Sequence, residues 1–155
     1  MSPLVIAIDD PRDVDVRALL EWHLGFAWET TPPEDVHALD LDGLLEPAVT
    51  FFSARRDAEL LGIGALKQLD ETHGELKSMH TAAAARRQGV GRAMVDHLVG
   101  VALLRGCRRL SLETGSMDAF EPARSLYATA GFTVCGPFDS YQLRPNSTYM
   151  TLALE

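Results

Sequence analysis

The chain has 155 residues, 46% of them hydrophobic, and a net charge of −8 at pH 7. That size and apolar content suit one sizeable core, so residues 1–155 are expected to form a single domain, and the negative charge argues against nucleic acid as a partner. No charged stretch leads into a short apolar run and no 18-residue apolar segment occurs, which points away from a membrane and toward the cytoplasm.

In chain order, Leu4 to Ile8 is a β-type run closed by Asp9-Asp10-Pro11. Val16, Leu19, Leu20, Leu24 and Ala27 recur at near-helical spacing and predict a helix over about 13–27, stopped by Thr30-Thr31-Pro32-Pro33. A second short helix is expected from Glu34 to Leu45. Val49–Arg55 and Leu60–Leu69 read as a hairpin turning at Asp57, and Glu75–Thr81 adds a third strand. The pattern then changes to a helix from about Val90 to Arg105, with Met94, Leu98, Val101 and Ala102 on one face and Gly106 closing it. Leu110–Thr114 is a strand. Pro122 suits the first turn of another helix and Gly131 its end. Phe132–Cys135 and Tyr149–Leu154 are the last strands. The predicted order is β-α-α-β-β-β-α-β-α-β-β.

The segment Arg86-Arg87-Gln88-Gly89-Val90-Gly91-Arg92 leaves a strand and opens a helix. Free N–H groups of a first helical turn point at an anion there, and the helix dipole favours its charge. Gly89 and Gly91 let a ligand approach the backbone, while Arg86, Arg87 and Arg92 add donors suited to phosphate. It is not a Walker A loop, since no Gly-Lys-Ser/Thr follows. Charge is distributed to match: residues 1–75 hold 16 acidic and 5 basic side chains, residues 76–155 hold 6 and 9. An acidic half could face a cationic substrate and a basic half an anionic cofactor; plain surface solvation explains the same pattern. Cys107 and Cys135 are too few for a disulfide framework or a zinc site, and the histidines show no metal-ligand spacing, so no metal is expected.

Strand, then Arg86-x-x-Gly89-x-Gly91, then helix, strand, and helix with Leu126-Tyr127-x-x-x-Gly131-Phe132 resembles the GCN5-related N-acetyltransferases. Segments Glu-Leu-Lys-Ser-Met and Leu-Glu-Thr-Gly-Ser are similar to small bacterial members. The resemblance implies an α/β (α+β) fold: a mixed, mostly antiparallel central sheet of about six or seven strands flanked by about four helices. That sheet splays between strands 75–81 and 110–114. It implies acetyl-CoA as co-substrate, with the pyrophosphate on the amides of Arg87, Gln88, Gly89, Val90, Gly91 and Arg92. The pantetheine arm would run beside Met79, His80 and Thr81 like an added strand. Tyr127 matches the family tyrosine that protonates the departing thiolate, and Glu75 stands where some members carry a general base.

Alternatives stand beside these roles. Tyr127 could be a half-buried helix residue, and Glu75 an exposed strand residue paired with Lys77. Glu113 is the second base candidate, and a water relay the third. Strict alternation puts His80 on the face opposite Glu75, Lys77 and Met79. Many members have asparagine seven residues before the tyrosine; here it is Phe120. Ser116 or Arg124 could replace that contact with the cofactor arm. The implied acceptor region lies near Trp28 and Glu29, with Glu34 and Asp35 nearby, and near Tyr141, beside Glu113 and Thr114 of the neighbouring strand. The implied reaction is direct attack by a primary amine of a small molecule or peptide; the alternative is a non-catalytic acyl-CoA-binding regulatory module. Phe51 and Phe52, or the terminal strand, are candidate homodimer contacts.

Overall fold

The structure is a computed structural model that describes residues 2–30 and 41–154, with the side chains of all but 23–30 and 41–42. Among the described residues the order is β1 (Val5–Ile8), α1 (Val14–Thr30), α2 (Leu41–Leu44), β2 (Val49–Arg56), β3 (Glu59–Gln68), β4 (His73–Thr81), α3 (Val90–Leu104), β5 (Arg109–Gly115), α4 (Glu121–Thr129), β6 (Thr133–Cys135) and β7 (Ser147–Ala153). The element order is the predicted one, with ends displaced by up to three residues. Most of the expected second helix lies outside the described residues, and α2 is its end.

The seven strands form one sheet in the order β1-β2-β3-β4-β5-β7-β6. Every neighbouring pair is antiparallel except β4 with β5. Local chemistry sets the turns. Asp57 and Ala58 take left-handed backbone between β2 and β3, and Gly106 and Gly131 do so where α3 and α4 end.

Two apolar layers cover the sheet. On one face Phe52, Ala54, Leu66, Leu76, Leu110, Leu112 and Met150 pack under α3 and α4, with Met94, Val95, Leu98 and Ala102 as the buried stripe of α3. A side chain such as Leu98, wholly buried, contributes about 2–3 kcal/mol. On the other face Val16 of α1 and Leu44 of α2 meet Phe51, Ile63 and Ala65. Phe51 and Phe52 therefore fill the core from opposite faces, and β7 is paired on both sides by β5 and β6. Neither is a free surface for a second copy.

β4 and β5 pair only from His73↔Arg109 to Leu76↔Leu112. Beyond that rung both strands continue unpaired with each other, so the sheet splits where the splay was expected. β4 also carries a bulge: its register with β3 runs from Ala65↔Lys77 to Ile63↔His80, one residue longer on β4, with Ser78 at φ 54. The extra residue reverses the alternation. Lys77 and His80 both stand opposite residues of the α1-side cluster, while Met79 lies on the α3 side over Gly64. The placing of His80 opposite Glu75 and Lys77 is thus corrected, because strict two-residue periodicity does not survive a bulge.

Candidate functional site

The turn between β4 and α3 combines left-handed backbone at Arg87 (φ 65) and at Gly89 (φ 78), the residue preceding α3. Gly89 offers no side-chain cap, and the first N–H bonded back into the helix is that of Ala93, to the Gly89 carbonyl. The N–H groups of Val90, Gly91 and Arg92 are therefore the first-turn donors of a 15-residue helix. A Cβ on Gly89 would find no atom within 4 Å, so the backbone there opens onto free space. Gly91 is needed for packing as well: a Cβ would stand 3.1 Å from Cδ2 of Leu126 on α4.

This turn forms one wall of a cleft of about 630 Å³ that runs to the split in the sheet. Met79, His80 and Thr81 line it from β4. Arg86, Arg87, Gly89, Val90, Gly91 and Arg92 line it from the turn, and Tyr127 from α4. The structure thus brings together most of the residues expected to hold a cofactor. Gln88 is the exception in the turn. Its Nε2 donates to the Ala84 carbonyl and its Oε1 accepts from Arg56, which shapes the loop instead. The Arg86 guanidinium lies 5.5 Å over the Trp22 ring of α1, and Trp22 in turn packs on His80. Arg92 donates to Asp96 one turn on.

Ser116 and Arg124 are not in the cleft lining. The Ser116 hydroxyl shares a hydrogen bond with Thr148, and Arg124 Nη1 donates to the carbonyls of Gly115 (2.6 Å) and Met117 (3.0 Å). Both hold the β5–α4 connection. Phe120 itself lines the cleft beside Ala119, Pro122 and Ala123, and packs on Gly115, where a Cβ would collide with the ring. Pro122 stands in the first turn of α4 as expected, and Phe120 admits either sequence reading, a ring packed on the cofactor arm or a core residue.

Tyr127 is buried, in edge contact with Phe132. Burial, and then the negative charge of Glu113, push its phenol well above the ordinary tyrosine range. It stays protonated at neutral pH, and the residue lines the cleft.

Glu75 is not exposed. Its relative exposure is 2%, and its Oε2 accepts from Lys77 Nζ at 2.9 Å and from the Tyr141 hydroxyl at 2.6 Å. The pairing with Lys77 stands as read, but the solvent-exposed alternative does not. Glu113 stands on β5 one residue past the last β4–β5 rung, opposite Tyr149, and Thr114 pairs with Thr148. The side chains of Trp28 and Glu29, and all of Glu34 and Asp35, lie outside the described residues. Among the described residues no cluster of metal-ligating side chains occurs, no helix is long and apolar enough to cross a membrane, and Cys107 and Cys135 are unpaired.

Residues 14–132 match the model of the acetyltransferase (GNAT) family. The chain is 49% identical over 149 residues to the uncharacterised N-acetyltransferase YsnE of Bacillus subtilis, covering 96% of this chain and 99% of that one. A crystal structure from Klebsiella pneumoniae, provisionally described as an acyl-CoA N-acyltransferase, superposes with a TM-score of 0.81 at 29% identity, covering 98% of each chain. A Bacillus subtilis acetyltransferase solved in complex with CoA shares the fold, with a TM-score of 0.74 at 18% identity over 99% of this chain and 100% of that one.

Proposed function

The chain belongs to the acetyltransferase (GNAT) family and is an acyltransferase, and from that premise we propose that it moves an acetyl group from acetyl-CoA to a primary amine by direct attack. The observation that carries the donor is the open cradle at Gly89. Unfilled space over a glycine, first-turn N–H groups and three arginines suit a pyrophosphate. The cleft leads from that cradle past Met79 to Tyr127, a path for the pantetheine arm along the free edge of β4.

Acetyl-CoA supplies a thioester whose carbonyl carbon takes the amine and whose thiolate departs. The chain supplies the rest. Backbone donors near Met79, at the bulge, polarise the carbonyl, and Tyr127 gives a proton to the thiolate. The amine proton leaves to a carboxylate at the split or through a water relay, and Glu75 and Glu113 are the carboxylates that stand there. The acceptor enters from the face of the sheet opposite α3, and the class we propose is a small molecule or peptide amine. We place the reaction in the cytoplasm.

Calorimetric titration with acetyl-CoA tests this reading. The parent should bind, and an Arg86→Ala/Gly89→Asp variant should not. Tyr127→Phe should bind within about twofold of the parent while its kcat falls about 10²-fold or more. A parent that does not bind acetyl-CoA would end the proposal.

A further inference from the structure

The structure points to a clasp of three side chains that pins the segment between β6 and β7 over the split in the sheet. We propose that Glu75, with Lys77 and Tyr141, is an anchor for the acceptor-side loop and not the group that takes the amine proton. The proposal deepens the transfer reading above and rests on it for the identity of the acceptor face.

Glu75 and Lys77 flank Leu76, the last β4 residue paired with β5. They point to the face opposite α3, and their side chains are 3% and 9% exposed. Two opposite charges buried side by side on one strand leave donors and lone pairs unmet. The Tyr141 phenol completes the set. It donates to Glu75 Oε2 at 2.6 Å and accepts from Lys77 Nζ at 2.8 Å, and Lys77 donates to the same oxygen at 2.9 Å. The ring brings residues 64 and 66 positions away in sequence to the apex of the split. Oε2 of the Glu75 carboxylate therefore already carries two donors, one of them cationic.

The loop is docked around this ring. Phe138 packs edge-on against Tyr141 at 5.0 Å and Tyr149 at 6.0 Å, and also meets His73. The Tyr149 hydroxyl donates to the Gln142 carbonyl at 2.6 Å, and the Ser116 N–H donates to the Asn146 carbonyl. Phe138 and Tyr141 face inward, while Leu143, at 81% exposure, faces out. The clasp fixes the height of this loop above the split, and so sets the wall that an amine meets when it approaches the thioester.

The test uses Tyr141→Phe, Lys77→Met and Glu75→Gln. Tyr141→Phe keeps every ring contact, so it folds even where Lys77→Met does not. Hydrogen exchange of the amides of residues 138–144 should quicken about tenfold in Tyr141→Phe, with α3 amides unchanged. Tyramine, spermidine, glycine and an alanyl peptide serve as acceptors. With the best of them, KM for the amine should rise about tenfold in Tyr141→Phe, while Kd for CoA stays within about twofold. Glu75→Gln should keep the acid limb of the kcat/KM profile where the parent has it, with a raised amine KM. Unchanged loop exchange in Tyr141→Phe, or an acid limb erased by Glu75→Gln with amine KM unaltered, overturns the clasp. If the parent turns over none of the four amines, the kinetic arm fails with the transfer reading, and loop exchange decides the clasp alone.

Discussion

Tyr127 shows how one side chain is tuned by where the fold puts it. A phenol in water already favours its protonated form at pH 7. Burial beside Phe132 and the nearby charge of Glu113 raise it further. In the proposed reaction, a phenol that delivers a proton to the departing thiolate gains from this, since it does not ionise in the working range. Activity should accordingly show no loss from Tyr127 titration below about pH 10, measured as kcat across the alkaline range. Gly115 is the second case. Its missing Cβ is the space taken by the Phe120 ring. Gly115→Ala should cost about 1–3 kcal/mol in denaturant unfolding. Combined with Phe120→Ala, most of the clash cost should vanish, so the two changes should be strongly non-additive.

At the scale of elements, the β4–α3 junction joins three devices. The bulge at Ser78 turns Met79 toward α3 and His80 toward α1. The left-handed turn at Arg87 and Gly89 then starts a helix with its donors uncapped. Gly91 lets α4 close against α3. Gly89→Ala separates stability from binding here. Left-handed backbone at a residue with a Cβ costs about 1–2 kcal/mol, so the thermal midpoint should fall by several degrees. The methyl meets no protein atom, so any further effect falls on the ligand: Kd for acetyl-CoA should rise about tenfold, read by calorimetry.

Across the whole molecule, charge ties distant parts of the chain together and makes stability depend on pH. Arg55 on β2 reaches Asp9 after β1 and Asp15 on α1. Burial alone would raise Asp9, but hydrogen bonds from Ser53, the Asp10 N–H and Arg55 outweigh it and bring it down to about 2. A lowered carboxyl stabilises the fold above its unfolded value near 3.8, and that support is lost as pH falls toward about 2. His73 works in the same sense by a different route. Burial holds it below its ordinary 6.5, so the unfolded chain binds more protons just under that pH. Its support is complete above 6.5 and fades as pH drops from there. Thermal unfolding from pH 2 to 8 should show both steps, with Asp9→Asn removing the acid one and His73→Gln flattening the slope between about pH 5 and 7.

Local chemistry written along the chain determined the elements and the glycine turn that opens α3. Helical spacing of Met94, Leu98 and Ala102, turn residues at Asp57, Gly106 and Gly131, and the Arg86–Arg92 glycine pattern each act within a few neighbours, so they can be read without the fold. The tertiary structure decided what depends on partners far away in sequence. Strict alternation along β4 could not reveal the bulge, because an inserted residue is defined only against β3. The place of Tyr141 on Glu75 and Lys77 depends on a loop more than 60 positions on, and the engagement of Arg124 with the Gly115 and Met117 carbonyls on how β5 enters α4. A side chain's type is local, but its free donors and acceptors are counted only after the chain has folded.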